Sequence, residues 1–225
     1  MNLRPLAIAG AVAVTIMLVL AAWAWVQVPA GAQVPIHWGI DGQPDGYGPK
    51  ESALLFTPLL SIGLVVMLYF LPMFEPRARN LAASGPAYLQ VTIALLVLMV
   101  GLQLMVVLAA VGRPLDVTFV LSIGTGSLFV VIGNVLGKVR SNFMFGVRTP
   151  WTLSSDLSWN KTHRLVGRLF VVLGFAVAIS GLVGGNQALL AVLLGGIVVV
   201  LVVSFAYSYR VWKTDPNKLK VGERA

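Results

Sequence analysis

Two clusters of residues in this sequence have the types and spacing to do chemistry. The first lies in "QVPIHWGIDGQPDGYGP", where His37, Asp41 and Asp45 recur at intervals of four, beside Trp38 and Tyr47. An imidazole and two carboxylates suit a metal ion, although zinc asks for three or four well-placed donors and calcium for a denser oxygen set. Both aspartates also precede glycine, the pairing that favours tight turns, so they serve equally well as turn formers. With its aromatic side chains the stretch presents a slightly acidic surface that a peptide could meet. The second cluster is "GVRTPWTLSSDLSWNKTHRLVGR", residues 146–168. Ser154 or Ser155 can cap free helix amides there, and Asp156 in the first turn suits the positive end of the helix dipole. A helix from that cap sets Lys161, Arg164 and Arg168 on one face and Trp159, His163, Val166 and Phe170 on another. That is the pattern of an amphipathic, interfacial lead-in to a membrane span, its cations placed for anionic lipid.

Catalysis finds little support. The two histidines fall in different polar loops, no zinc-protease helix or serine elbow is present, and no glycine-rich phosphate loop precedes a helix. Cysteine is absent, which removes disulfides, thiolate chemistry and cysteine metal sites. The sequence therefore reads as a non-enzyme without cofactor or metal.

The elements that must position these clusters are membrane helices. The chain is 58% hydrophobic and 11% charged, where a soluble domain carries about 25% charged residues. Six apolar runs, residues 6–26, 53–71, 88–111, 117–136, 165–183 and 188–207, are each long enough to cross roughly 30 Å of hydrocarbon. With the N-terminus inside, fourteen of the 16 Lys and Arg fall on inner segments and only Lys50 and Arg113 on outer ones. This is the bias of the positive-inside rule for N-in, C-in topology, and it absorbs the net charge of +8 without invoking nucleic acid. Tryptophans divide likewise, with Trp23, Trp25 and Trp38 outside and Trp151, Trp159 and Trp212 inside. The first run is longer than the roughly 7–15 apolar residues of a secretory signal, so it is expected to be retained despite "AGA" behind it.

The expected architecture is thus an all-α integral membrane protein with six transmembrane helices. Residues 1–87 form a two-helix unit around a turn-rich outer loop, 27–52, in which at most a short hairpin around "PIHW" is expected. Residues 88–225 form a four-helix unit with a partly helical cytosolic loop, 137–164, and a basic, frayed tail, 208–225. Pro58 falls in the first turns of the second span, where a missing amide donor costs least. Gln103 reads as ordinary helix–helix glue. Gly133 and Gly137, with Gly167, Gly174 and Gly181 every seven residues, favour close packing of the fourth and fifth spans over dimerisation through the same face. No ionisable group lies near the middle of a span, which counts against ion-coupled transport.

The stretch "IGNVLGKVRSNFMFGVRTPWTLSSDLSWNKTHRLVGRLF", residues 132–170, resembles the signature of the SdpI family of bacterial membrane immunity proteins. Gly133, Asn134, Asn142, Gly146, Arg148, Thr149, Pro150, Trp151, Trp159, Thr162, His163 and Gly167 match it. The segment "VPIHWGIDGQPDGYGPKESALLFTPLL" is similar to the small domain that often precedes it, through Pro35, His37, Gly42, Asp45 and Gly46. Ser141 stands where the family pattern has proline, so that turn is expected to be looser. The resemblance implies a multi-pass protein of the bacterial inner membrane that protects its producer from a secreted, membrane-active killing peptide. It implies as well the capture of a small cytosolic transcriptional repressor once toxin is bound. The peptide would be met by Pro35, His37, Trp38, Asp41, Asp45 and Tyr47, and the cytosolic partner by Asn134, Asn142, Gly146, Arg148, Thr149, Pro150, Trp151, Trp159, Thr162 and His163. A small permease or exporter of an amphipathic solute is the alternative, and the oligomeric state is left open.

Overall fold

The computed structural model describes residues 1–219; Lys220 and Arg224, counted above among the inner cations, lie outside the described residues. Among the described residues six helices are long and apolar enough to cross a membrane. They are α1 (Arg4–Gln27), α2 (Lys50–Phe70, continued by the 3-10 turn Leu71–Phe74), α4 (Gly85–Ala110), α5 (Val117–Leu136), α7 (Asp156–Val183) and α8 (Gly185–Thr214). Two short helices, α3 (Ala78–Ala83) and α6 (Pro150–Leu153), sit between spans at one end of the bundle, here termed the loop end. At the opposite end β1 (Gln33–Trp38) and β2 (Pro44–Pro49) pair antiparallel into the hairpin that the "PIHW" stretch allowed.

Local chemistry sets several boundaries. Proline occupies the first turn of α1, α4 and α6, where its missing amide would have had no helical partner. The side chain of Asp116 accepts from the amide of Phe119 at 2.9 Å to open α5, and that of Ser155 accepts from Ser158 at 2.9 Å to open α7. Because Ser155 caps it, α7 runs unbroken from Asp156 into the membrane. The expected interfacial lead-in is therefore the first two turns of the span itself, and its aromatic face is buried in the protein rather than laid on the bilayer. Likewise α8 continues seven residues beyond the apolar run read from the sequence.

Helices α1, α2 and α4 pack together, as do α5, α7 and α8, and α4 meets α5 to join the groups. Lipid is as apolar as leucine, so close backbone approach rather than hydrophobicity holds such helices. The α5–α7 crossing is the tightest. A Cβ added at Gly133 would stand 2.5 Å from the Gly167 carbonyl oxygen, and one at Gly126 2.6 Å from that of Gly174. The Gly167, Gly174 and Gly181 spacing thus meets a matching seven-residue step on α5, in which Gly126 is the member the sequence reading lacked.

Pro58 is placed differently from expectation. It lies eight residues after Lys50, inside α2, so the Leu54 carbonyl has lost the amide that would bond it. Buried Gln103 of α4 fills the gap, its Nε2 donating to the Leu54 oxygen at 3.0 Å. Gln103 is therefore a dedicated partner for a proline-broken turn.

Candidate functional site

Two polar sites cap the bundle, and they are built on opposite principles. At the loop end, residues 137–155 wrap against α7, α8 and the 75–84 turn as a closed network of hydrogen bonds. Asn142 is wholly buried; its Oδ1 accepts from the amides of Met144 and Phe145 at 2.8 and 2.9 Å, while its Nδ2 donates to the Arg140 carbonyl at 2.8 Å. Trp159 of α7, equally buried, donates from Nε1 to the Val139 carbonyl at 2.8 Å and stacks on His163 with centroids 4.0 Å apart. His163 has both ring nitrogens engaged. Nδ1 donates to the Trp159 carbonyl at 2.8 Å and Nε2 accepts from the Val147 amide at 3.0 Å, which fixes one neutral tautomer. Gly146 makes that approach feasible. Its φ of 116° suits glycine, and a Cβ there would collide with His163 Nε2.

Thr149 and Thr152 cap each other across α6, Thr152 N donating to Thr149 Oγ1 at 3.2 Å and Thr149 N to Thr152 Oγ1 at 2.9 Å. Thr149 Oγ1 also donates to Ser208 Oγ at 3.0 Å, and Trp151 packs edge-on against Phe205, so the loop is fastened to α8 as well. The first polar turn, which the sequence reading left without a role, completes the frame. Glu75 Oε2 accepts from the Phe143 amide at 2.9 Å, Asn80 Nδ2 donates to the Ser141 carbonyl at 2.8 Å, and Arg77 donates to Ser141 Oγ and to the Leu153 carbonyl. Ser141 is thus the point where the two loops are joined, and the turn expected to be loose for want of proline is pinned. The tail is pinned too. Ser155 Oγ donates to buried Asp215 at 2.5 Å and the Leu219 amide donates to the Ser154 carbonyl at 3.0 Å, so the chain through Leu219 is docked rather than frayed.

Burial divides the residues proposed for the cytosolic partner. Asn142, Trp159, Thr162 and His163 are interior, which removes them as contact residues and Trp159 as an interfacial aromatic. Asn134, Gly146, Arg148 and Pro150 are exposed, with Thr149 and Trp151 half-buried. Arg148 leans back to donate to the Phe143 carbonyl at 2.5 Å. The cations Lys161, Arg164 and Arg168 are all exposed along α7.

The hairpin end is open by contrast. His37 Nδ1 meets Asp45 Oδ1 at 2.5 Å across the strand pair, with the two side chains 72% and 53% exposed. Asp41 turns to its own backbone, accepting from the Gln43 amide at 3.0 Å, so it acts as a turn former while Asp45 does not. No three metal-type side chains converge among the described residues. Pro35 and Tyr47 face each other in the ladder. His37 and Trp38 border a cleft of about 380 Å³ between the hairpin and the ends of α4, α5 and α8, floored by Met105, Leu121 and Leu189. Ile36, Ile40 and Tyr47 leave large apolar surfaces exposed around it. The anchor beneath is Lys50, which was counted only as an outer charge. It is buried, and its Nζ donates to the Val28 and Trp25 carbonyls at 2.9 and 3.3 Å, filling the last turn of α1 with a cation where the helix dipole is negative.

Six apolar helices with structured polar caps at both ends define a multi-pass membrane protein. Residues 138–208, which hold the pinned loop, α7 and most of α8, match the SdpI/YfhL protein family. Residues 12–62, from within α1 through the hairpin into α2, match a domain of unknown function, DUF1648. Over 183 residues the chain is 25% identical to Immunity protein SdpI of Bacillus subtilis (strain 168), an alignment covering 80% of this chain and 84% of that protein. No solved structure matches. Both comparisons thus agree with the resemblance to the SdpI family read from residues 132–170.

Proposed function

We propose that this protein is a membrane immunity protein of the bacterial inner membrane, protecting its cell from a secreted, membrane-active killing peptide. The observation that carries the reading is the alignment with Immunity protein SdpI, which takes in four fifths of the chain and so spans more than one shared motif. The hairpin end supplies a fitting surface. A peptide that attacks membranes is amphipathic, and the cleft offers an apolar floor, exposed Ile36 and Ile40, and the His37–Asp45 pair for polar groups. In this reading the hairpin end faces outward and both termini lie in the cytosol, in keeping with the placement of Lys and Arg. The loop end then offers a cytosolic protein, such as a transcriptional repressor, the exposed group Gly146, Arg148 and Pro150 with half-buried Trp151, while the buried residues only position it.

The test is survival of a sensitive bacterium expressing the protein under a panel of secreted killing peptides. His37→Ala/Asp45→Ala and Arg148→Ala/Trp151→Ala versions run beside it at matched membrane levels. Protection that is lost with the first pair and kept with the second supports recognition at the hairpin; protection from no peptide refutes the reading. Orientation is checked separately by labelling Gln43→Cys and Asn160→Cys in intact cells, since the chain has no cysteine of its own. Labelling of residue 160 rather than 43 would invert the assignment.

A further inference from the structure

We propose that the crossing of α5 and α7 at the loop end is a binding site for the headgroup of an anionic phospholipid. Close approach of Gly133 and Gly167 leaves a crevice of about 550 Å³ on the outer side of the two helices. Lys138, Arg164 and Arg168 line it together with Asn134, and all four are exposed. Among the described residues none of the three cations has a carboxylate within ion-pair distance or a side-chain hydrogen bond. Three like charges gathered without a counter-charge repel one another, so the arrangement favours an anion between them.

Depth decides which anion. From Val117 to Gly137 the chain is uncharged, about 30 Å of helix, which puts Lys138 at the edge of the hydrocarbon. In this antiparallel crossing the contact of Gly133 with Gly167 holds Arg168 level with Ile132, roughly 9 Å further in than Lys138. The Arg164 stem lies against Gly137, beside Lys138. A guanidinium set that far below the boundary is costly in hydrocarbon unless it snorkels outward or draws in a partner, and its planar fork matches phosphate. Below it Val171 and exposed Val172 continue the crevice as an apolar track suited to an acyl chain. A soluble anion would have no use for that track. Lys161, expected from the sequence to act with Arg164 and Arg168, lies outside the crevice, and Lys138 of the neighbouring helix takes its place. This inference stands apart from the immunity reading and needs only the helix crossing.

The test uses the whole protein in neutral detergent, with bound lipid counted by native mass spectrometry during titration. Phosphatidylglycerol, phosphatidylcholine and the soluble headgroup glycerophosphoglycerol serve as probes. The expected result is that phosphatidylglycerol binds roughly tenfold or more tighter than phosphatidylcholine, and that Lys138→Gln/Arg168→Gln removes this preference. Lys161→Gln/Lys213→Gln, which takes the same charge from the same end, is expected to leave it intact. An equal loss in that control, or a soluble headgroup binding as tightly as the lipid, overturns the proposal. Should the first variant fail to fold, Arg168→Lys keeps the charge but not the fork and is expected to weaken binding at least about threefold; unchanged affinity would overturn the site.

Discussion

The two ends of the bundle solve different problems with similar residue types. At the loop end the polar side chains that hold the loop are buried and hydrogen-bonded, from Asn142 and His163 to Glu75 and Asp215. At the hairpin end the one ion pair is exposed and the cleft beside it is open. A network in low dielectric is rigid because each lost bond leaves an unsatisfied group behind, whereas an exposed pair exchanges freely with water. The contrast teaches that a polar cluster between apolar runs does not by itself mark a contact surface. The richer of the two clusters is mostly scaffold.

Breaking the scaffold is the severest test of that contrast. Trp159→Ala removes a wholly buried indole and its bond to Val139, and a loss of about 3–5 kcal/mol is expected. Thermal unfolding in detergent measures it, and trypsin should then cut faster at Arg140 and Arg148; undiminished resistance would mean the loop is held by something other than its interior. Asp215→Ala leaves the Ser155 hydroxyl without its acceptor, at an expected cost of about 1–3 kcal/mol. Cleavage after Lys213 and Lys218 reports whether the tail has come away. Midway between the ends, Gln103→Leu strips the Leu54 carbonyl of its donor and should cost about 1 kcal/mol. Pro58→Ala restores a backbone amide four residues on from Leu54, so in that background Gln103→Leu should cost clearly less. Strict additivity in the double-mutant cycle would show that Gln103 does not serve the broken turn.

Which of these features could be read beforehand follows from their range. Spans, caps and the Gly167–Gly174–Gly181 step are local patterns, visible in hydropathy, in Ser155 ahead of Asp156 and in seven-residue spacing. The joining of Arg77 and Asn80 to Ser141 links residues more than sixty positions apart, and no local pattern announces it. The same holds for Lys50 reaching back to Val28, and for Asp215 under Ser155. Hydropathy also treats every polar residue between spans as surface. That is why Trp159 and His163 read as a face and prove to be an interior, and why Lys138 was not set beside Arg168 until the glycine crossing fixed the two helices in depth.

The smallest stability effect should accompany the sharpest functional one. His37 and Asp45 meet at 2.5 Å, yet with both side chains more than half exposed the pair contributes only about 0–1 kcal/mol. The hairpin is fixed instead by its ladder, by buried Val34 and by Lys50 below. His37→Ala should therefore move the unfolding midpoint little while abolishing protection from the peptide that the wild type resists, because the imidazole borders the cleft and is free to exchange Asp45 for a ligand. His37→Gln, which keeps a donor and comparable size, is expected to retain part of it. The comparison fails if His37→Ala destabilises the protein as much as Asp215→Ala does, for the hairpin would then be a second scaffold. It fails in the other direction if protection survives His37→Ala undiminished, because recognition would then have to reside elsewhere on the bundle.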